Sequence, residues 1–125
     1  MSGNCTLENI AKTLKEAKSV VIMTHMRPDG DAFGSALSLS CALSVLNIPN
    51  QVCVESEIPS NLRFIDGIEK TKKHPDGEYD TIIALDCADM ARLGLLSDTY
   101  LCAPRKNVRT INLDHHISNT RYGSM

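Results

Sequence analysis

The sequence predicts an α/β fold, a doubly wound and mainly parallel sheet with flanking helices, and three observations carry the prediction. Short, β-branched apolar runs stand at 20–24 (Val-Val-Ile-Met-Thr), 81–85 (Thr-Ile-Ile-Ala-Leu) and 108–113 (Val-Arg-Thr-Ile-Asn-Leu), as buried strands of a parallel sheet require. Segments of helical character separate them, the pattern of strand–helix–strand units. Each run also ends in carboxylates or imidazoles: His25, Asp29 and Asp31 after the first, Asp86 after the second, Asp114, His115 and His116 after the third. Ligands in open α/β sheets bind beyond the carboxyl ends of the strands, so these seven side chains would meet at one edge.

The elements follow in order. Leu7, Ile10, Ala11, Leu14 and Ala17 recur at helical spacing and predict an amphipathic helix over 6–18. After the first strand, Pro28 and Gly30 make 25–32 a tight loop. A second helix over 33–46 is rich in small residues (Gly34, Ser35, Ala36, Ser38), which allow close approach to the sheet, while Leu37, Leu39, Leu43 and Leu46 supply bulk. Its amino end adjoins the carboxylate loop, where free N–H groups could seat a phosphate or orient Asp31. Residues 47–50 end it, and 51–55 read as a short strand. From 56 to 80 the signal weakens into turns; Lys70, Lys72 and Lys73 have no aromatic residue among them and read as a solvated face. Arg92-Leu93-Gly94 reads as a short helix and turn, and Pro104-Arg105 as a loop before the last strand.

The 125 residues are enough for one domain, and at this size a domain buries roughly two thirds of its unfolded surface. A net charge of −2 and 4% aromatic content exclude a binder of long nucleic acid, which needs a basic track and stacking residues. Any nucleotide partner is short. Five cysteines (Cys5, Cys41, Cys53, Cys87, Cys102) form no C-x-x-C pair and read as reduced, mostly buried thiols of a cytoplasmic protein. The first eight residues lack the charged start and apolar core of a signal peptide, and no run reaches membrane-span length.

His25-Met26-Arg27-Pro28-Asp29-Gly30-Asp31 is the most specific local feature: three ligand types in seven residues on a Pro/Gly loop. Crowding Asp29 and Asp31 costs like-charge repulsion that a bound cation relieves. His74-Pro75-Asp76-Gly77 has similar composition but follows lysines instead of an apolar strand, and reads as a turn. Asp86 closes an apolar strand, where a buried carboxylate needs a partner, and it is the candidate bridging ligand; the bland reading is a cap on the following turn. Asp89 reads as a cap of the segment holding Arg92. Successive side chains on extended backbone point oppositely, so of His115 and His116 one would ligate and the other meet substrate. Asp114 would then accept a hydrogen bond that holds a histidine tautomer. Oxygen and imidazole donors without cysteine suit Mn²⁺, Mg²⁺ or a similar ion, and so many acids suit a pair of ions about 3.5 to 4 Å apart, as in phosphate ester hydrolysis.

Three ordered segments, H-x-x-P-D-x-D-x-x-G-S from His25 to Ser35, Asp86-Cys87-Ala88-Asp89 and Asp114-His115-His116, resemble the DHH phosphoesterase superfamily. Arg92-Leu93-Gly94 and the tail 117–123 (Ile-Ser-Asn-Thr-Arg-Tyr-Gly) resemble in particular its nanoRNase group of bifunctional oligoribonucleases and pAp phosphatases. The resemblance implies two Mn²⁺ ions, replaceable by Mg²⁺ or Co²⁺: His25 and Asp29 would hold one, Asp31 and His115 the other, and Asp86 both. It further implies that His116 contacts the scissile phosphate, that Asp114 supports the cluster, and that water attacks phosphorus in line to release mononucleotides from short oligoribonucleotides or from 3′-phosphoadenosine 5′-phosphate.

The family's catalytic domain runs on through a further strand and joins a C-terminal substrate domain. Residues 1–125 therefore read as the amino-terminal part of that catalytic domain, with weak activity alone and an open sheet edge suited to homo-oligomers. The competing expectations are a cyclic dinucleotide phosphodiesterase or manganese pyrophosphatase of the same superfamily, or a non-catalytic metal- or nucleotide-binding module. A zinc amidohydrolase matches the acid-rich set poorly.

Overall fold

Four parallel strands in the order β2-β1-β3-β4 form the sheet: β1 (Val20–Met23), β2 (Asn50–Cys53), β3 (Thr81–Leu85) and β4 (Arg109–Leu113). This is a computed structural model, and it describes residues 6–26, 29–58, 60–65, 67–87, 90–94 and 96–114. The predicted α/β, doubly wound class holds. From β1 the chain moves outward to β2, then returns to the other side of β1 for β3 and β4. The strand order thus reverses between β1 and β3, the place where a doubly wound sheet opens a binding crevice.

β1 and β3 are buried at every position, because helices cover both faces. Val20, Ile22, Ile83, Leu85 and Ile111 pack with Ile10 and Leu14 of α1 (Leu7–Glu16) and Phe33, Ala36 and Leu43 of α2 (Gly30–Val45). Val21, Met23, Ile82 and Ala84 turn the other way, against Leu93 and against Leu96, Tyr100 and Ala103 on or beside α3 (Leu96–Cys102). Alternate residues of each strand thereby feed two separate cores.

The helices depart from expectation in instructive ways. α1 is capped by Thr6, whose hydroxyl accepts from Asn9 N at 3.1 Å, and it ends at Glu16 where Ala17 turns extended. α2 begins three residues earlier than periodicity predicts, because Asp29 caps it: its Oδ1 accepts from Ala32 N at 2.9 Å. Gly30 and Asp31 are therefore helical rather than part of a loop. Sequence reading missed α3, although Leu96, Tyr100 and Ala103 keep helical spacing. Tyr100 Oη donates to Ile111 O at 3.0 Å, and burial raises its pKa, so the helix is latched to β4 by a neutral phenol.

The 74–77 segment is a bend tied to β2, with Gln51 exchanging two 2.8 Å hydrogen bonds with the Asp76 backbone and Lys72 pairing with Asp76 at 2.9 Å. Lys73 pairs with Glu57. The lysine run is solvated, as expected, and Lys72 adds a single bridge to Cys53 on the outer side of β2.

At the amino-terminal end of the sheet, Asp80 gathers Lys18 N (3.0 Å), Ser19 N (3.2 Å) and Thr81 Oγ1 (3.3 Å). Burial alone would raise its pKa, but these hydrogen bonds outweigh it and hold the carboxyl below its ordinary 3.8. A depressed folded-state value means stability that is complete above pH 3.8 and lost as pH falls through the folded value. Asp80→Asn should cost about 1–2 kcal/mol at neutral pH. The gap to wild type in thermal melts should close on acidification below 3.8; a gap independent of pH would refute the assignment.

Burial pushes the Cys53 thiol up to about 12, against a smaller lowering by Lys72. Cys87 is buried too, Cys102 half-buried and Cys41 exposed. Iodoacetamide followed by peptide mass mapping should label Cys41 promptly and Cys53 only in denaturant. Equal labelling of the two in the native protein would contradict the packing around β2.

Candidate metal centre

The register of the sheet builds the site. β1 and β3 pair Met23 with Ala84, and the next step is held by Thr24, whose buried hydroxyl donates to Leu85 O at 2.8 Å. Carried one residue further, the same register sets His25 opposite Asp86. β3 and β4 pair Leu85 with Leu113, and Asp86 N donates to Leu113 O at 3.2 Å, which sets Asp114 beside Asp86 on the other side. The residues that end three apolar strands therefore stand in one row at the carboxyl edge, at the β1/β3 reversal.

His25 and Asp86 are 8% and 7% exposed, and His25 Nε2 lies 3.8 Å from Asp86 Oδ2. That is beyond hydrogen-bond reach but suits two ligands of one ion. His25 Nδ1 stands 2.8 Å from Met26 O. A carbonyl can only accept, so Nδ1 carries a proton and Nε2 is the nitrogen turned toward Asp86, the orientation a metal ligand needs. Asp29 completes the group: one donor atom from each of His25, Asp29 and Asp86 lies within 4.8 Å of the others. Donors at about 2.0 to 2.2 Å from one ion stand up to about 4.4 Å apart, so the group closes on a cation with little movement.

Asp86 sits at φ 52°, in the left-handed region. Aspartate tolerates this better than most residues, yet the conformation still costs of order 1 kcal/mol. Its surroundings enforce it. Beside the bond to Leu113 O, Asn112 Nδ2 donates to Cys87 O at 3.2 Å and anchors the strand exit to β4. On the other flank Met26 N donates to Arg92 O at 2.6 Å, drawing the 3₁₀ turn Met90–Leu93 across to the loop after β1. Gly94 ends that turn at φ 65°, where a Cβ would strain the backbone and come within 3.0 Å of Glu55 Cδ, so glycine is favoured after Arg92-Leu93.

Asp31 is not in the group. Because α2 starts at Gly30, Asp31 lies on the exposed side of its first turn, and helical positions two apart face different ways. Asp114 is half-buried beside the row. His115 and His116 lie outside the described residues, as does Asp89 with its expected capping role. Sequence reading missed Thr24, Asn112 and the carbonyl of Met26, which set the positions of the ligands; a buried threonine ending an apolar run was the available sign for the first.

Residues 19–123 match the family described as DHH family, N-terminal domain. The bifunctional oligoribonuclease and PAP phosphatase NrnA of Thermus thermophilus is 34% identical over 122 residues, covering 93% of this chain and 34% of that protein. The crystal structure of an exopolyphosphatase-related protein from Bacteroides fragilis aligns with a TM-score of 0.78 and 28% identity over 88% of this chain and 34% of the other. The chain thus spans about a third of the length of either relative. The matched stretch runs from the start of β1 past Asp114, through every strand that brings a ligand to the edge, and on that ground the chain belongs to the DHH family.

Proposed function

We propose that this chain forms the metal-binding edge of a phosphoesterase that hydrolyses short oligoribonucleotides, 3′-phosphoadenosine 5′-phosphate, or both. The observation that carries the reading is the buried His25–Asp86 pair at the β1/β3 reversal, with Nδ1 committed to a carbonyl and Nε2 facing the carboxylate. A nitrogen and carboxylate oxygens, without a thiolate, fit Mn²⁺, with Mg²⁺ or Co²⁺ as substitutes. His25, Asp29 and Asp86 would hold one ion, Asp31 and His115 a second, and Asp86 would serve both. When bound, such ions lower the pKa of water and neutralise charge on phosphoryl oxygens.

The chain's own residues do the rest. Asp86, held at its strained turn, keeps its carboxylate aimed at His25 without reorganisation. The Met26 carbonyl, accepting from Nδ1, orients the ring so that Nε2 is the nitrogen turned toward an ion. His116 would touch the scissile phosphate, and Asp114, next to Asp86 in the row, would orient the histidines that follow it. The name of the Thermus relative supports a nucleotide substrate. The exopolyphosphatase-related neighbour supports a second reading, hydrolysis of an inorganic phosphoanhydride by the same edge. Free thiols at Cys41, Cys53, Cys87 and Cys102 fit a cytoplasmic setting.

Calorimetric titration with Mn²⁺ tests the core of this. Asp86→Ala and Asp86→Asn should weaken binding at least about ten-fold, since even residues behind the ligands cost that much, while Asp76→Ala, on the bend, should leave it intact. Asparagine keeps the left-handed turn accessible, so unchanged heats in that variant remove Asp86 from the site. Incubating the intact gene product with pApA, pAp, cyclic di-AMP and pyrophosphate should consume pApA or pAp first; pyrophosphate consumed first would favour the second reading.

A further inference from the structure

We propose that Phe64 is the stacking platform for the nucleobase of a substrate whose phosphate lies at the His25–Asp29–Asp86 group; the inference rests on the phosphoesterase reading and narrows it to base-bearing phosphates. Aromatic residues are scarce in this chain, and those of the core are spent on packing: Phe33 is 0% and Tyr100 2% exposed, and Tyr79 packs against the second core. Phe64 is 80% exposed. A single exposed apolar side chain is ordinary, so its placement and its support make the case.

Phe64 lies in the 60–65 stretch that follows β2, and the packing of its neighbours places that stretch. Two neighbours pin the segment from below: Leu62 is buried in the first core and Ile65 packs against it. The Leu62 side chain rests against the start of α2, its Cδ2 3.8 Å from where a Cβ on Gly30 would stand, and Gly30 directly follows Asp29. Backbone bonds from Ile65 N to Leu62 O (3.1 Å) and Ile68 N to Ile65 O (3.2 Å) hold the turn. The exposed ring is thus carried on an anchored turn whose Leu62 reaches Gly30, the residue after candidate ligand Asp29. Arg63, the residue before it and also exposed, adds a cation to the same turn, suited to a sugar-phosphate backbone. An aromatic face and a cation beside an acidic, metal-competent cluster are the recurring parts of sites for short single-stranded nucleotides. An inorganic phosphoanhydride has no π-face and would gain nothing from the ring.

The Mn²⁺-loaded chain can be titrated with 2-aminopurine riboside 5′-phosphate, whose fluorescence falls on stacking, and with ribose 5-phosphate. Wild type should quench the fluorophore and prefer the base-bearing ligand. Phe64→Ala should abolish quenching and weaken that ligand about ten-fold, within the range for loss of one base–aromatic stack, so that the two phosphates bind alike. Phe64→Tyr should restore both signals. Undiminished quenching and preference in the alanine variant would overturn the proposal, as would a large fall in its melting temperature, which would mean the ring is a packing residue. Mn²⁺ uptake by the same samples separates the two levels. A chain that takes up no Mn²⁺ refutes the phosphoesterase reading, whereas one that takes it up but binds both phosphates equally refutes the stacking alone.

Discussion

The pairing of β1 with β3 is the constraint on which the site depends. Its register is continued past the last ladder pair by the Thr24 hydroxyl on Leu85 O. Thr24 is fully buried, so leaving that hydroxyl without an acceptor would cost about 1–3 kcal/mol, and the strand ends are held level. A slip of one residue would set His25 against Leu85 or Cys87 and place an imidazole in an apolar core. Two neighbouring features, the left-handed turn at Asp86 and the bond from Met26 N to Arg92 O, presuppose this alignment.

The sheet also explains how polar groups come to be buried here. Val20 to Met23 and Ile82 to Ala84 are fully buried, and that apolar interior stabilises the domain. Thr24, His25 and Asp86 are the buried polar residues that continue these two strands at the carboxyl edge. Such groups are costly unless partnered, and each has a stated role: Thr24 on Leu85 O, His25 Nδ1 on Met26 O, and Asp86 facing His25 in a group that a cation would complete. At the opposite end, Asp80 is partnered wholly by the chain itself, through Lys18, Ser19 and Thr81. The two ends of one sheet thus show a structural carboxylate satisfied by N–H and O–H groups and a carboxylate set against an imidazole.

Much of this was legible in the residues because strand interiors and strand ends differ so sharply in polarity. β3 falls at 81–85 as read, β1 within a residue of it, and His25 and Asp86 stood out as the first ionisable groups after each run. The start of α2 was not legible, since Pro28-Asp29-Gly30 is as good a turn as it is a helix start. The competing principle was capping: Asp29 bonds Ala32 N, and the helix begins at once. α3 was hidden by its brevity and by Gly94 and Pro104, whose punctuation outweighed three apolar positions. Hydrogen bonds to carbonyls of Met26, Leu85 and Cys87 leave no mark in a sequence, because any residue supplies a carbonyl.

Asp29 shows how capping and metal affinity combine. A carboxylate has acceptor capacity for several partners, so the bond that caps α2 leaves room for an ion, and the rigid helix fixes where that ion would sit. A cation at a helix amino end opposes the positive end of the macrodipole. Asp29 at the cap and Asp31 in the first turn place two negative charges there, which offset the opposition. With an ion in place, an arriving phosphate would meet both the cation and the outward N–H groups of α2. A bound cation and the helix end, which oppose each other while no anion is present, would then act together on the phosphate, so under the proposed function the edge would take cation and phosphate together more readily than either alone.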